Sequence, residues 1–589
     1  MADPVGNGGG NVRKKTTALL LVVVSAFAAG CSNTPPPPVV SSPVAQSSTS
    51  PAKNVSQIVV GVDDIAGGYN PHNLADSSTV TAALAQLLLP SVFRKKDDGT
   101  PELDRNLMRS AQVVSEQPFT VAYEIRPDAS WSDGAPIAVE DFVYLRDAMR
   151  DQPGVVQPAG YRLISDIRPG EGGKRVEVVF AKPYPAWQSL FTNLLPQHLL
   201  KDAPGGWQQA LEGSFPAVAG PFSIKVLDSG RGEIILERNE RWWEKPAAVD
   251  RIVLRRIDQA GMAAALRSGN DQFAMGRTDA TALRQLGELG PGVRLHTVAA
   301  PKVADLLLRP VGVLADAQVR AGVAALIDRS KLIDKGVAGG PSATLRADAQ
   351  VLPPSGVPGY APTIPAAGAP GKPDPQKAQE LLTAAGYRRE AGVWRKDGKS
   401  LSLVIASPGQ QEPYAGMAKE LTTQLVAAGI EVRTITPPPR ELFSTLLAMP
   451  VGGPAQPLAQ ENATSGVGVD IAVVPQPVGG DPATVLASTF GCRPGQQSGD
   501  QAAPVVPPNS AAFCSQALQP TIDAALTGAT PLPEALSQLE PELWRQNVVV
   551  PLFQLADTLA IGSGVSGVTP GPPLVGPFGS AVNWTRGAK

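Results

Sequence analysis

The sequence predicts an α/β protein of several domains, and three observations support this. First, 589 residues are too many for a single hydrophobic core, so we expect about two to four domains. Second, strand and helix patterns alternate between residues 374 and 475, an order that predicts a parallel sheet covered by helices on both faces. Third, short strand patterns recur through the first half of the chain.

The folded body is expected to begin near Ser56 with the strand QIVVGV. In FTVAYEIRP, residues 119–127, apolar and polar side chains alternate, which is typical of a strand with one buried face. RVEVVFAKP (residues 175–183) and GEIILER (residues 232–238) predict two further strands.

The α/β unit of the second half begins with the helix DPQKAQELLTAAGY, where Asp374 is the expected N-cap and Gly386 the stop. The order then continues with strand LSLVIA, a helix over 413–428, strand IEVRTI, helix RELFSTLLAM and strand VDIAVVP. VWRKDGKSLSL predicts a hairpin with Asp-Gly as its turn. Its DGKS is not a phosphate-binding loop, because Val393 stands where that motif needs its first Gly.

The N-terminal segment has the pattern of a secretory signal. Basic residues precede the apolar run ALLLVVVSAFAAGC, which is shorter than the roughly 20 residues that span a bilayer. Its end resembles a bacterial lipobox, with Ala28 in place of the usual Leu, so residues 1–30 are expected to be removed and Cys31 to be diacylated (palmitate). An ordinary cleaved signal is the alternative. The Pro/Ser-rich residues 31–55 would then tether the body to the membrane.

Composition and motifs do not support catalysis or nucleic-acid binding. The net charge is −2 and the basic residues are scattered, which leaves no electrostatic footprint for nucleic acid. His72, His198 and His296 lie far apart and outside any metal-binding motif, so each is expected to be structural. No catalytic residue, metal or cofactor is predicted, although assembly of a site by the tertiary fold stays open.

WSDGAPIAVED, residues 131–141, places a Trp among three carboxylates and raises the question of an active site. A helix pattern starts near Val139, so Glu140 and Asp141 fall in its first turn, where carboxylates are favoured. Trp131 is expected to pack under the turn, and Asp133 to accept bonds from local backbone N–H groups. The stretch is therefore interpreted as scaffold.

The same stretch resembles the signature of family 5 of the extracellular solute-binding proteins, the peptide and nickel receptors of ABC importers. Further segments resemble this family in the same order along the chain: GGYNPHNLAD, AGPFSIKVL, RNERWWEKPAAVDRIVLR, AALRSGNDQFA, DAQVRAGVAALIDRSKLI, PPSGVPGYAP, DPQKAQELLTAAGY, GGDPATVLASTFGC and VVVPLFQ. One departure is Ala138, which stands where a Thr usually caps the helix.

The resemblance implies a periplasmic-binding-protein type II fold, with two α/β lobes around a hinged cleft. Domain I would comprise residues 56–92, 205–300 and 549–589, domain II residues 93–204, and domain III, the second lobe, residues 301–548. An exported chain favours a disulfide between Cys492 and Cys514, and this pair matches one found in some peptide receptors of the family.

The cleft carries a departure that concerns the ligand. Peptide receptors of the family have Trp-x-x-Asp before an Asp/Glu-Pro pair, and that Asp binds the peptide ammonium. With Asp481-Pro482 as the register, Pro475 and Val478 occupy those two positions here. Because a valine cannot pair with an ammonium, ordinary peptide capture is disfavoured.

Within the family, the anchor, the tether and this cleft resemble a mycobacterial lipoprotein. That resemblance implies binding of a phosphatidylinositol mannoside intermediate at the branch towards lipomannan and lipoarabinomannan, on the outer leaflet of the cytoplasmic membrane. The partner would be a membrane mannosyltransferase. If the chain is instead an importer receptor, its partner would be an ABC permease. The chain is expected to be a monomer. The candidate ligand contacts are Tyr69, Asn70, His72, Arg309, Pro475, Gln476, Val478 and Asp481. Arg309 could meet a phosphate, with a solvated or internally paired guanidinium as the alternative.

Overall fold

Two long antiparallel strands, Val293–Leu308 and Val549–Gly562, lie in the middle of a ten-stranded sheet. The computed structural model describes residues 55–65, 67–451, 468–493 and 506–587. The sheet has the following strand order: Glu431–Ile435, Ser402–Ala406, Ile471–Pro477, Val293–Leu308, Val549–Gly562, Phe273–Gly276, Gln57–Val62, Arg251–Arg256, Glu233–Arg238 and Phe222–Asp228.

The α/β order predicted for the second half of the chain is confirmed. Ser402–Ala406 pairs in parallel with Glu431–Ile435 on one side and with Ile471–Pro477 on the other. Asp374 caps the helix Pro375–Ala384 by accepting the Lys377 N–H. The Asp-Gly hairpin is also present, because Val393–Lys396 pairs antiparallel with Lys399–Ser400 and both turn residues have positive φ.

One predicted helix differs in type. RELFSTLLAM forms a short π-helical turn, Glu441–Leu446, in which the Leu447 N–H bonds to the Leu442 carbonyl. Pro450 follows closely and disfavours a helical conformation for the residue before it, so the turn cannot extend into a regular α-helix.

A second, antiparallel sheet of four strands lies in the segment predicted as domain II. Its order is Met108–Glu116, Phe119–Ile125, Arg175–Phe180 and Ile164–Pro169. Three small sheets pair Phe93–Lys95 with Pro101–Leu103, Val565–Ser566 with Thr585–Arg586, and Arg388–Glu390 with the Asp-Gly hairpin. The predicted strands at 57, 119, 175 and 232 are therefore confirmed within a residue or two.

The described α-helices cover the sheets. Their bounds are Thr79–Leu88, Val139–Asp151, Ala159–Arg162, Gln197–Leu200, Gly206–Gln209, Gln259–Ser268, Ala280–Gly287, Ala317–Ala324, Arg329–Val337, Pro375–Ala384, Tyr414–Ala427, Pro482–Phe490, Gln519–Leu526 and Leu532–Gln546. Within the described ranges, every helix is too short or too polar to cross a bilayer.

The WSDGAPIAVED stretch is scaffold, as predicted. Trp131 is fully buried, and its indole N–H donates to Asp141 Oδ2 at 3.3 Å. Asp141 also accepts the Ala138 N–H at 3.0 Å and the Gln197 N–H at 3.0 Å, so one carboxylate joins the turn, the start of its own helix and the start of the helix Gln197–Leu200. Asp133 accepts the Ala135 N–H at 3.1 Å, which is the local backbone bond expected for a turn.

The predicted disulfide is present, with Cys492 and Cys514 bonded. Cys31, the signal segment 1–30 and nearly all of the tether lie outside the described residues. The domain boundaries stay a prediction. Below, "first lobe" means residues 56–300 and 549–587, and "second lobe" means residues 301–548.

Candidate ligand cleft between the lobes

Side chains from the two lobes meet directly along the predicted cleft. Tyr184 of the first lobe and Thr484 of the second share a buried hydroxyl–hydroxyl bond of 2.7 Å. Gln157 Nε2 donates to the Gly479 carbonyl at 2.6 Å, and Ser444 Oγ donates to Gln208 Oε1 at 2.6 Å. These contacts describe a closed arrangement of the lobes.

The strand pair that crosses between the lobes contains an irregularity. The register of Val293–Leu308 against Val549–Gly562 shifts between Ala299 and Val303, and again between Ala304 and Asp305. Beside this shift, fully buried Gln554 donates to the Ala300 and Ser355 carbonyls and accepts the Ser355 N–H. A bulge interrupts the regular pairing of two strands, so bending would concentrate here, and this is where we expect the hinge.

Tyr69 and Asn70, two predicted contacts in the first lobe, are buried. Tyr69 is 1% exposed and Asn70 is 0% exposed. The Tyr69 hydroxyl and Asn70 Nδ2 have no hydrogen-bond partner among the described residues. Buried polar groups are normally paired with protein or water, so these two are unusual, and a ligand contact at either of them stays a prediction.

His72 lies on the same segment, and its Nε2 lies 2.9 Å from the Asn193 carbonyl. Burial lowers the pKa of His72 to about 4, and the imidazole is therefore neutral near pH 7 with Nε2–H as the donor. This hydrogen bond lies within the first lobe. In this conformation His72 supports the local structure.

Asp76 and Arg440 form an ion pair between the lobes that sequence reasoning did not identify. Arg440 Nη2 lies 3.0 Å from Asp76 Oδ2, and Asp76 also accepts the Asn70 N–H at 3.2 Å. Burial raises the pKa of Asp76 to about 6, although the Arg440 charge opposes this shift. Arg440 Nη1 is buried without a partner in the described part of the chain. The residues are far apart in sequence, and no local pattern marks them.

The second-lobe candidates follow the strand Ile471–Pro477. Val478 is 9% exposed and packs in a small apolar cluster with Val303 and Ala347. Pro475 is buried in the strand opposite Ala304. Asp481 caps the helix Pro482–Phe490 by accepting both the backbone N–H and the hydroxyl of Thr484 at 2.8 Å. The carboxylate nearest along the chain is therefore engaged in a helix cap rather than free to replace the missing Asp.

Arg309 is held internally, which was the alternative to a phosphate contact. It is 2% exposed and donates to the carbonyls of Ser510, Val469 and Leu447 at 3.1, 2.9 and 2.8 Å. Burial lowers its pKa to about 10. In this conformation the guanidinium ties three backbone segments of the second lobe together and is not accessible to a ligand.

A cavity of ≈ 60 Å³ lies between the lobes, next to these candidates. Its wall includes Gln157 and Arg162 from the first lobe, and Gln476, Ser488 and Arg493 from the second. Of the predicted contacts only Gln476 reaches it, and Gln476 Nε2 is buried with no partner among the described residues. Arg162 and Arg493 come from distant parts of the sequence, so only the fold brings them together.

The described residues contain no group of His, Cys, Asp and Glu side chains that could hold a metal ion. The other titratable contact near the turn, between Asp133 and His198 at 2.6 Å, is partly exposed and has no nucleophile within its hydrogen bonds. The described residues of the cleft offer hydrogen-bond donors, hydrogen-bond acceptors and charged groups.

Comparison with known proteins gives a consistent result. The family model for bacterial extracellular solute-binding proteins, family 5, matches residues 102–465. The probable monoacyl phosphatidylinositol tetramannoside-binding protein LpqW of Mycobacterium tuberculosis is 34% identical, over 93% of this chain and 94% of that protein.

Solved structures share the fold. The agropinic-acid complex of AgaA from A. tumefaciens has a TM-score of 0.69 at 18% identity, over 90% of this chain and 99% of that one. The oligopeptide-binding protein AppA from Bacillus subtilis, in complex with a nonapeptide, has a TM-score of 0.68 at 17% identity, over 91% and 100%. The type II periplasmic-binding fold predicted from the sequence is therefore confirmed.

Proposed function

This chain belongs to the bacterial extracellular solute-binding proteins of family 5, and on that premise we propose that it binds a phosphatidylinositol mannoside intermediate. It would do so as a lipoprotein on the extracytoplasmic face of the cytoplasmic membrane, and so regulate the flow of that intermediate into lipomannan and lipoarabinomannan synthesis. The binding role itself follows from the family, whose members are binding proteins rather than enzymes.

The observation that carries the proposed ligand is the apolar surroundings of Val478, the position at which peptide receptors of the family have their ligand-binding Asp. Here Val478 packs against Val303 and Ala347, so no carboxylate stands at this position for the ammonium of a peptide. An ammonium enclosed near it without a partner would lose several kcal/mol, because a buried charge without a partner is strongly disfavoured. A ligand without a free amine, such as a mannoside, avoids this cost. The name of the 34% identical relative supports the same ligand class.

The closed arrangement of the lobes also constrains how the ligand enters the cleft. A cavity of ≈ 60 Å³ holds only a few water-sized groups, far less than a tetramannoside. The lobes must therefore open at the hinge beside Gln554 before a head group of that size can enter, and closure would then enclose part of it. Unpaired Tyr69 Oη, Asn70 Nδ2 and Gln476 Nε2 supply hydrogen-bonding capacity for sugar hydroxyls.

A binding titration tests the proposal. The folded body, residues 56–589, would be titrated with glycerophosphoinositol tetramannoside, the deacylated and soluble form of the ligand, and with a mixed set of tri- to pentapeptides. We expect heat of binding with the former and none with the latter. Peptide binding without glycan binding would contradict the proposal.

The second candidate function is a receptor for an ABC importer of peptides or another solute. It is favoured by the shared fold with AppA, whose structure holds a nonapeptide. This function requires a cognate permease, whereas the first requires a membrane enzyme such as a mannosyltransferase. Crosslinking from the membrane-bound full chain, followed by identification of the captured membrane protein, separates the two.

A further inference from the structure

Two arginines from opposite lobes line the cavity between Gln157 and Gln476. Arg162 ends the helix Ala159–Arg162 of the first lobe. Arg493 follows the helix Pro482–Phe490 of the second lobe and is adjacent to the disulfide-bonded Cys492. Each guanidinium is therefore held near the cavity by its own lobe.

In the described part of the chain, neither arginine is paired with a carboxylate in a salt bridge, and the Nε of each is buried without a hydrogen-bond partner. Within the described ranges, Arg162 Nη2 makes a single long contact of 3.4 Å, with the Pro508 carbonyl. The nearby carboxylate, Asp151, is bound by Arg150 through both oxygens, at 3.0 and 2.8 Å.

The two positive charges disfavour closure by themselves. Burial, and next to it repulsion from Arg493, lowers the pKa of Arg162 to about 10. The Arg162 guanidinium therefore stays charged at neutral pH, and the closed state holds it near a second guanidinium in a poorly solvated place. An anion between them would convert this repulsion into two favourable contacts.

The cavity matches the size and chemistry of one tetrahedral oxyanion. A cavity needs about 10–15 Å³ to hold one water, so ≈ 60 Å³ is enough for a group of the size of phosphate, with roughly five heavy atoms. Guanidinium groups bind phosphate oxygens through paired N–H donors. Gln476 Nε2, which has no partner in the described residues, and the Ser488 hydroxyl lie on the same wall and can donate further hydrogen bonds.

We propose that Arg162 and Arg493 together form a phosphate-binding subsite that joins the two lobes around the phosphodiester of the ligand. The inference rests on the proposed function, in which that ligand is a phosphoglycolipid. It adds a mechanism for specificity: the phosphate is what allows the lobes to close. The same chemistry would also bind free inorganic phosphate, so the experiment includes it as a separate probe.

The test compares three probes on the folded body, residues 56–589: glycerophosphoinositol tetramannoside, phosphate-free mannotetraose and inorganic phosphate. Dissociation constants would be measured for the wild type and for Arg162→Gln, Arg493→Gln and Arg388→Gln. The last removes the same charge from an exposed strand outside the cavity. Arg162→Lys retains the charge, and the thermal midpoint of each variant checks folding.

The expected result is a loss of at least tenfold in affinity for the phosphodiester probe in both Gln variants of the pair. Arg388→Gln should leave it unchanged, Arg162→Lys should restore part of it, and mannotetraose binding should not respond to any variant. Small-angle scattering should show that the phosphodiester probe closes the wild type more than mannotetraose does. If inorganic phosphate alone closes the wild type and competes with the probe, the subsite is a general oxyanion site, which supports the assignment of the two arginines.

Two outcomes overturn the inference. If the phosphodiester probe binds but neither Gln variant weakens it, the subsite is wrong while the proposed function stands. If only mannotetraose and the phosphodiester probe bind, with equal affinity, the phosphate makes no contact and the subsite is again wrong.

A third outcome separates the subsite from the proposed function. If no glycan binds while inorganic phosphate binds and depends on Arg162 and Arg493, the proposed function fails and the oxyanion site itself remains.

Discussion

Arg440 and Asp76 form an ion pair between the lobes, with 3.0 Å from Nη2 to Oδ2. The Asp76 side chain is 1% exposed and that of Arg440 is 21% exposed. The attraction of the guanidinium favours the charged carboxylate, whereas burial disfavours it and is the larger effect, so the pKa of Asp76 rises from 3.8 to about 6. The pair therefore contributes to closure without making the carboxylate a stronger acid.

This raised pKa predicts how stability depends on pH. Between about pH 4 and pH 6 the folded state holds a proton on Asp76 that the unfolded state has lost, so stability falls as pH rises through that window. Asp76→Asn removes the titration. We compare the unfolding free energy of the wild type with that of the variant at each pH. The wild-type value minus the variant value should decrease from pH 4 to pH 6, by at most about 1.4 kcal/mol per pH unit. Above pH 6 this difference should stay constant. Chemical denaturation at a series of pH values measures this difference. A difference that grows over the window would show that Arg440 outweighs burial.

The helix Val139–Asp151 lacks a side-chain cap, which offers a stabilising substitution. Ala138 is the N-cap residue, and its methyl side chain accepts no hydrogen bond from the N–H groups of the first turn. The Asp141 carboxylate already accepts the Ala138 N–H. Ala138→Thr should raise the free energy of unfolding by about 1 kcal/mol, because a Thr oxygen can accept an N–H of the first turn. Ala138→Val is the matched control, similar in shape without the oxygen. Equal stability of the two variants would contradict the capping argument.

The Cys492–Cys514 disulfide closes a loop of moderate length next to Arg493, with a sequence separation of 22. Replacing both cysteines by Ser should lower the free energy of unfolding by about 3 kcal/mol, since the crosslink restricts the unfolded chain. It should also weaken binding of the phosphodiester probe, because Arg493 loses its fixed neighbour. Thermal unfolding of wild type and variant, each with and without reductant, measures the first effect. Reductant should lower the wild-type midpoint and leave the variant unchanged.

Val478→Asp distinguishes the two candidate functions. The new carboxylate would lie against Val303 and Ala347 at a site that is 9% exposed, so we expect a lower thermal midpoint. We expect the variant to gain no peptide affinity, because Pro475 also occupies the position of the Trp that flanks a bound peptide. Val478→Asn, of equal size and without charge, controls for packing. Tight peptide binding by the Asp variant alone would support the importer receptor instead.

The sequence predicted the secondary structure well wherever local patterns determine it. Asp374 caps its helix, Asp397 and Gly398 make the hairpin turn, and the parallel strands of the second half pair as expected. These features depend on neighbouring residues and on the alternation of apolar side chains. Trp131 was likewise assigned correctly to the scaffold, because a turn and a helix start are local features.

The candidate site was less accessible to sequence reasoning. The sequence did not decide whether Arg309 contacts a phosphate or is held within the protein. Its three hydrogen bonds go to carbonyls of backbone segments that are distant in sequence, so no local pattern predicts them. Arg162 and Arg493 were not identified, because no spacing rule links residues on separate lobes. The same holds for Asp76 and Arg440, whose contact depends on lobe closure.

Native mass spectrometry decides between capture of a phosphoglycolipid and capture of a peptide. The full chain would be extracted in mild detergent from the cells that produce it and measured without denaturation. We predict a bound species with the mass of an acylated phosphatidylinositol mannoside, which Arg162→Gln and Arg493→Gln retain less well. Recovery of a mixture of peptides, with no glycolipid, would contradict the proposed function.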